Sequence, residues 1–186
     1  MNEPRDNRQR PLLWIVLIAL WGCLLAGYLV RGFFGLAADE IPNSHESEVA
    51  GPTYVYRVIE FRAALAHGHL SPQWAPNFRG GLGAPYFSYY QPAFFYVASV
   101  VPPSVPPAKM LGVTVWVFAV VGYLGMVALV SRFFDNLSGV VAGSMLLLSP
   151  YAGTNLYVRG DLSEFAAMML LPLMLWAWFG CLDRPS

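Results

Sequence analysis

The sequence predicts an all-α fold, a polytopic bundle of transmembrane helices with one long external loop. Hydrophobic residues make up 56% of the 186 residues, and charged residues only 12%, against about 25% in an ordinary soluble domain. The charges are also uneven, because the 98 residues from Pro85 to Leu182 contain six of them. These observations exclude a soluble enzyme and predict membrane lipid as the surrounding partner. A net charge of zero leaves no electrostatic footprint for nucleic acid, so none is expected as a partner.

The first apolar run covers residues 12–30, which are 19 residues without a charge. As a helix the run would be about 28 Å long, enough for a hydrocarbon core of roughly 30 Å. A cleaved signal peptide is the alternative, but its apolar region usually has about 7–15 residues. The tail of residues 1–11 contains Arg5, Arg8 and Arg10, which predicts a cytoplasmic N-terminus and a multi-pass protein of the cell (inner) membrane.

Residues 31–88 form the long polar stretch and are predicted to lie outside the membrane. An amphipathic helix is expected at about 53–67, because Thr53 can cap it and apolar residues recur at helical spacing in Tyr54, Val58, Phe61 and Leu65. The charged residues Arg57, Glu60 and Arg62 are predicted to lie away from this stripe. The helix then either lies along the membrane surface or packs on the rest of the loop.

Downstream, Gly80 and Gly81 predict a turn with positive φ angles. Four further membrane segments are predicted at 89–103, 109–131, 137–156 and 165–182, followed by a tail of residues 183–186. Of the five segments in all, 89–103 is the weakest as a full span, because Pro102 and Pro103 end it. Five full crossings would place Arg159 and the long loop on opposite sides of the membrane. They share a side if 89–103 fails to cross.

Two groups of charged residues are candidates for chemistry. The loop contains acidic residues next to His45, namely Asp39, Glu40, Glu46 and Glu48. They could supply a general base or hold a divalent cation, or they could form a solvated acidic loop. The second group is Arg159, Asp161 and Glu164, between two apolar runs. Arg159 could bind a phosphate through its planar pair of donors, or it could pair with a carboxylate and cap the last helix.

The histidines of His67-Gly68-His69 have the spacing of a metal-binding pair, but a surface turn is the favoured interpretation, and no metal ligand is assigned. The two cysteines, Cys23 and Cys181, lie in apolar runs and indicate neither a disulfide framework nor a zinc site.

Two motifs resemble those of a known family. Residues 57–100 contain an arginine-bearing helix, then GHLSPQWAP, a glycine-rich turn, GAPYF and YYQP, and residues 149–175 contain SPYAGTNLYVRGDLSE. Both are similar to elements of the 6-pyruvoyl-tetrahydropterin synthase-related membrane proteins, a family label that implies no pterin chemistry. The architecture of that family is similar to the C-type (GT-C) glycosyltransferases, which take sugars from polyprenyl-phosphate carriers. The resemblance covers about residues 11–182, and family members continue through further helices, so this chain is expected to be an N-terminal portion.

The resemblance implies a transferase at the outer membrane face, with a catalytic acid soon after the first span. Family members tend to place an aspartate and a histidine there, and the nearest acids in this chain are Glu46 and Glu48. These two are therefore the expected catalytic residues, with a divalent cation as the conceivable cofactor. The expected substrate-binding residues, for a polyprenyl-phosphate-linked sugar, are Arg159, Glu164, Arg57 and Arg79. The alternatives are a non-catalytic membrane scaffold or assembly subunit and, less favoured because no span has an interior charge, a transporter.

Overall fold

The computed structural model describes residues 9–35 and 53–182. Glu46 and Glu48 lie outside these residues, as do the tails 1–8 and 183–186. The regular elements of the described part are helical. In chain order the longer helices are α1 (Gln9–Phe34), α2 (Thr53–Ala66), α3 (Ala93–Val100), α4 (Pro107–Ser131), α5 (Asn136–Leu147), α6 (Pro150–Thr154) and α7 (Leu162–Leu182).

Within residues 9–35 and 53–182, four segments are long and apolar enough to cross a membrane, so the chain is a helical membrane bundle. They are Leu12–Phe34, Pro107–Ser131, Asn136–Arg159 and Leu162–Leu182. The expected span at 89–103 is wrong. In its place stands α3, a helix of eight residues that measures only about 12 Å. Its last helical residue, Val100, is followed by Val101 in an extended conformation and then by Pro102 and Pro103, which lack the amide hydrogens to continue a helix.

The central helix of the bundle is α4, which packs against α1, α5 and α7. Glycines allow these close approaches. A Cβ at Gly125 would stand 2.9 Å from the backbone nitrogen of Leu173 in α7. A Cβ at Gly143 in α5 would stand 2.8 Å from the ring of Tyr123, a fully buried residue of α4. Small residues at helix contacts are the usual means of packing in lipid, where apolar side chains gain little by leaving their surroundings.

Contacts between the helix ends show that the spans alternate in direction. At one end Phe33 of α1 packs on Gly112 of α4, and the Tyr157 hydroxyl donates a hydrogen bond to the Leu29 carbonyl oxygen. At the other end Arg132 donates to the carbonyl oxygen of Phe179, near the end of α7. The segment between α1 and α4 therefore leaves and re-enters the bundle at one end, called here the loop face.

Helices α2 and α3 pack on each other and form a layer on the loop face. The predicted apolar stripe is confirmed in part, since Tyr54, Val58 and Phe61 are buried. The prediction that the charged residues lie away from the packed side is wrong for Arg57 and Glu60, which are 5% and 8% exposed. Partners within the layer make this burial possible, and the exposed positions of α2 include the less polar Tyr56 and Ile59. Among the described residues, α2 therefore packs on the rest of the loop.

Candidate functional site

The chain reverses direction at the loop face through the segment that joins α6 to α7. A π-helical turn, Asn155–Arg159, continues α6, and Gly160 ends it with a φ of 68°, which glycine adopts without strain. The amide of Asp161 then donates to the Asn155 carbonyl oxygen over 3.0 Å. The Asp161 carboxylate caps α7 by accepting from the amide of Glu164 over 3.0 Å. This turn places the side chains of residues 159, 161 and 164 together.

Arg159 and Glu164 form a two-pronged ion pair at this turn. The guanidinium nitrogens Nη1 and Nη2 lie 2.9 Å and 2.8 Å from Glu164 Oε1 and Oε2. Nη1 also donates to Asn155 Oδ1 and to the Tyr151 hydroxyl, while Tyr151 donates to Glu164. The Arg159 side chain is 45% exposed. One edge of the guanidinium therefore pairs with the Glu164 carboxylate, which matches the alternative that Arg159 caps the last helix. The side chain is still partly exposed.

The Tyr54 hydroxyl connects this turn to α2. It donates to Asp161 Oδ1 over 3.1 Å and accepts from the amide of Ser163 over 3.1 Å. The start of α7 and the start of α2 are thus hydrogen-bonded across the loop face. The sequence predicts Tyr54 as part of the apolar stripe but does not predict this role. The spacing of a tyrosine in a helix indicates which face its ring occupies, and not which group its hydroxyl contacts.

Arg57 lies inside the external layer, surrounded by three tyrosine rings. Its guanidinium carbon stands 4.8 Å, 4.3 Å and 5.1 Å from the ring centres of Tyr54, Tyr86 and Tyr90. Cation–π attraction of this kind stabilises a guanidinium away from water. Burial also raises the pKa of the Tyr86 hydroxyl above its ordinary value, so the Tyr86 ring stays neutral. The burial of Arg57 among these rings indicates that it organises the layer, and the expectation that it binds substrate stays a prediction.

Arg79, the remaining expected substrate-binding residue, is exposed in the turn Phe78–Gly81. It has a φ of 53°, and Gly80 and Gly81 follow with 68° and 91°, which confirms the predicted positive φ angles of the two glycines.

Arg62 has a structural role that the sequence did not indicate. Its Nη2 donates to the carbonyl oxygens of Ala98 and Val101, over 2.6 Å and 2.5 Å, and so completes the C-terminal end of α3. Burial lowers the pKa of Arg62 from its ordinary value. The sequence contains only an indirect sign of this role. A short helix that ends before Pro102 leaves its last carbonyl groups without helical partners, so a side-chain donor is needed there.

The described residues contain no group of three or more histidine, cysteine, aspartate and glutamate side chains that could hold a metal ion. The divalent cation and the catalytic roles of Glu46 and Glu48 stay predictions, since both glutamates lie outside the described ranges.

Three comparisons with known proteins return nothing that bears on these residues. No protein-family model matches the chain, and no curated protein or solved structure is significantly similar to it. The assignment of the chain therefore depends on its own geometry, which is that of a four-span helical bundle with an ordered external layer hydrogen-bonded to a charged turn at the loop face.

Proposed function

We propose that this chain is the N-terminal part of a membrane glycosyltransferase that takes a sugar from a polyprenyl-phosphate carrier at the outer membrane face. The supporting observation is the pair of hydrogen bonds at the Tyr54 hydroxyl, which donates to Asp161 and accepts from the amide of Ser163. A transferase of this design needs the external loop and the charged turn of Arg159 on the same membrane face. Because α3 is too short to cross, both lie at the same end of the bundle.

The reaction moves a sugar from a phosphate oxygen to an acceptor hydroxyl group. In this proposal Glu48 or Glu46 takes the proton of the acceptor hydroxyl, the acceptor oxygen bonds to the anomeric carbon, and the bond from that carbon to the phosphate oxygen breaks. The polyprenyl phosphate leaves with the additional negative charge. A fixed guanidinium beside it stabilises the transition state more than the ground state.

Arg159 is the proposed partner of that phosphate, and Glu164 holds it in place. The carboxylate takes one edge of the guanidinium, and the 45% exposure of the side chain leaves the group accessible from the loop face. Tyr151, which is 51% exposed, adds a hydroxyl group beside Arg159 over 3.1 Å. Since the Tyr151 hydroxyl gives its hydrogen to Glu164, it helps to hold the guanidinium, and the guanidinium is the group that an approaching phosphate would contact.

The test is the substitution Arg159→Lys in the full-length protein, with polyprenyl phosphate binding measured by native mass spectrometry. Lysine keeps the charge but not the planar donors, and the loss of one charge-assisted hydrogen bond predicts binding weaker by about tenfold or more. Arg132→Lys at the opposite end of the bundle is the matched control and should leave binding unchanged. Unchanged affinity in Arg159→Lys, with a normal yield, would contradict the proposal.

A non-catalytic scaffold is the second candidate, and one observation favours it. Arg159 is held by Glu164, Asn155 and Tyr151 without any ligand, as in a purely structural ion pair. In a scaffold, Arg159→Lys would lower the melting temperature of the purified protein and would not change any lipid affinity. The same pair of measurements therefore distinguishes the two functions.

A further inference from the structure

A cavity of about 570 Å³ opens in the external layer, away from the turn of Arg159. It lies between the C-terminal half of α2 and the loop that follows it, residues 67–77. The side chains with polar or aromatic groups along it include Glu60, His67, His69, Gln73, Trp74 and Asn77. A cavity of this size is in the range of small-molecule sites.

Three polar residues of the cavity, Glu60, Asn77 and His67, are held in place by hydrogen bonds. Asn77 donates to Glu60 through its side-chain amide over 2.7 Å and through its backbone amide over 3.3 Å. His67 Nδ1 stands 2.7 Å from the Ala63 carbonyl oxygen, and because a carbonyl can only accept, Nδ1 carries a hydrogen. The second ring nitrogen, Nε2, is then the one that a ligand can use.

Trp74 provides a flat apolar surface in the same wall. It is 52% exposed, and one side of the indole packs on Gly83, where an added Cβ would stand 2.7 Å from Cε2. The flanking residues Ala75 and Ala84 exchange two backbone hydrogen bonds of 2.8 Å and 3.0 Å. The ring is therefore set in place before any ligand arrives, which reduces the entropic cost of binding.

We propose that this cavity binds a neutral saccharide. A pyranose ring offers an apolar C–H face, which fits an exposed indole, and hydroxyl groups around its edge, which need planar donors and acceptors such as Gln73, Asn77 and the histidines. No described lysine or arginine lines the cavity, and the Glu60 carboxylate opposes an anion, so a phosphate or nucleotide does not fit. The inference rests on the proposed function in one respect, because the cavity would hold the sugar acceptor of the transferase. Saccharide binding to the cavity can be measured whether or not a sugar is transferred.

Tryptophan fluorescence gives a selective measurement. Of the six tryptophans, Trp74 alone lies outside the four candidate spans. In nanodiscs, iodide in water should therefore quench mainly Trp74. Probe sugars are chosen from a glycan array, with maltotriose, chitotriose and mannotriose as the first three. At least one should protect the fluorescence from iodide, and Trp74→Phe should remove both the quenchable signal and the protection.

Substitutions of other residues that line the cavity test the site while Trp74, the source of the fluorescence signal, stays unchanged. Gln73→Ala and His69→Ala should each weaken saccharide binding by roughly tenfold, the value of a lost hydrogen bond. Tyr89→Ala is the matched control, since Tyr89 is 81% exposed in the same layer and does not line the cavity. The expected result for the control is unchanged binding.

Three outcomes would overturn the inference. They are a folded protein that binds no saccharide on the array, binding that survives both wall substitutions, and protection by Zn²⁺ alone, which would indicate a metal site at the histidines. All binding is measured without carrier lipid. Saccharide binding in this assay therefore tests the cavity alone. If a separate assay with a polyprenyl-phosphate-linked sugar shows no transfer, that result would contradict the proposed function and leave the cavity assignment intact.

Discussion

The helices of the bundle and those of the external layer pack through different kinds of contact. In the bundle, close contacts are made at glycines, such as Gly125 of α4 against the backbone of α7. In the layer, contacts are made by charged and aromatic side chains that face inward, such as Arg57 among three tyrosine rings and Glu60 on Asn77. The bundle thus depends on the shape of its backbone, and the layer depends on satisfied polar groups.

The difference follows from the two surroundings. Within lipid an apolar side chain gains little by burial, so helices gain stability from close van der Waals contact. Above the lipid, water competes for every charge, and a buried arginine or glutamate is tolerated only with partners at good geometry. Substitutions should therefore break the bundle through volume and the layer through lost donors.

The largest expected effect is that of Gly125→Val in the bundle. The new side chain would meet the backbone of Leu173, which cannot rotate away as a side chain can, so overpacking should cost about 3 kcal/mol. The measurement is the yield of detergent-solubilised monomer together with its melting temperature. Gly153→Ala is the control, because a Cβ there meets nothing within 4 Å. Equal yields for both variants would contradict packing by close backbone contact.

A smaller effect is expected for Arg62→Met in the external layer. Methionine retains much of the side-chain length but removes the donors to the carbonyl oxygens of Ala98 and Val101. The loss of charge-assisted hydrogen bonds should cost about 2 kcal/mol. Hydrogen exchange at the amides of α3 should rise, while exchange in α4 stays as it was. A rise spread evenly over both helices would show that the layer and the bundle unfold as one unit.

The smallest effect is expected at the end of the bundle opposite the layer, where Asp135 caps α5. Its carboxylate accepts from the amide of Ser138 over 2.7 Å, and this bond lowers the pKa of Asp135 from its ordinary value. Because the folded pKa is the lower one, the stabilisation is present above the unfolded pKa and is lost as the pH falls through the folded pKa.

The substitution Asp135→Ala should therefore lower the melting temperature slightly at pH 7, and the difference from wild type should vanish under strongly acidic conditions. Asp135→Ser keeps a capping oxygen that does not titrate, and it should show no such pH dependence relative to Asp135→Ala. A difference that persists unchanged at low pH would show that the carboxylate does not supply the stabilisation.

The sequence predicted the bundle well, because a helix that crosses lipid must be long and nearly free of charge, and both properties can be seen directly in the sequence. It overcounted the spans at 89–103, where aromatic and apolar residues serve a short helix in the external layer. The prediction also placed the charged side chains of α2 on its outward face, whereas Arg57 and Glu60 are buried. Periodicity identifies the apolar face but does not show that Arg57 and Glu60 have partners, since those partners, Tyr86 and Asn77, come from a later turn of the chain.

The sequence predicted which residues belong to the candidate site but not all of the contacts among them. Arg159 and Glu164 were both selected, and the alternative of a mutual ion pair matches the observed contacts. The link through Tyr54 could not be predicted, because it joins residues 107 and 109 positions apart. Long-range hydrogen bonds of this kind leave no local pattern in a single sequence.

That same separation imposes an order on biogenesis. Tyr54 emerges from the ribosome more than a hundred residues before Asp161 and Ser163, and at typical synthesis rates the interval is roughly 5–20 s. During that time α2 stands outside the bundle without its anchor at the start of α7. The external layer is therefore joined to the bundle through Tyr54 only when the last helix has been inserted, and a nascent chain that stalls between α4 and α7 would hold the layer without its hydrogen bonds to the start of α7.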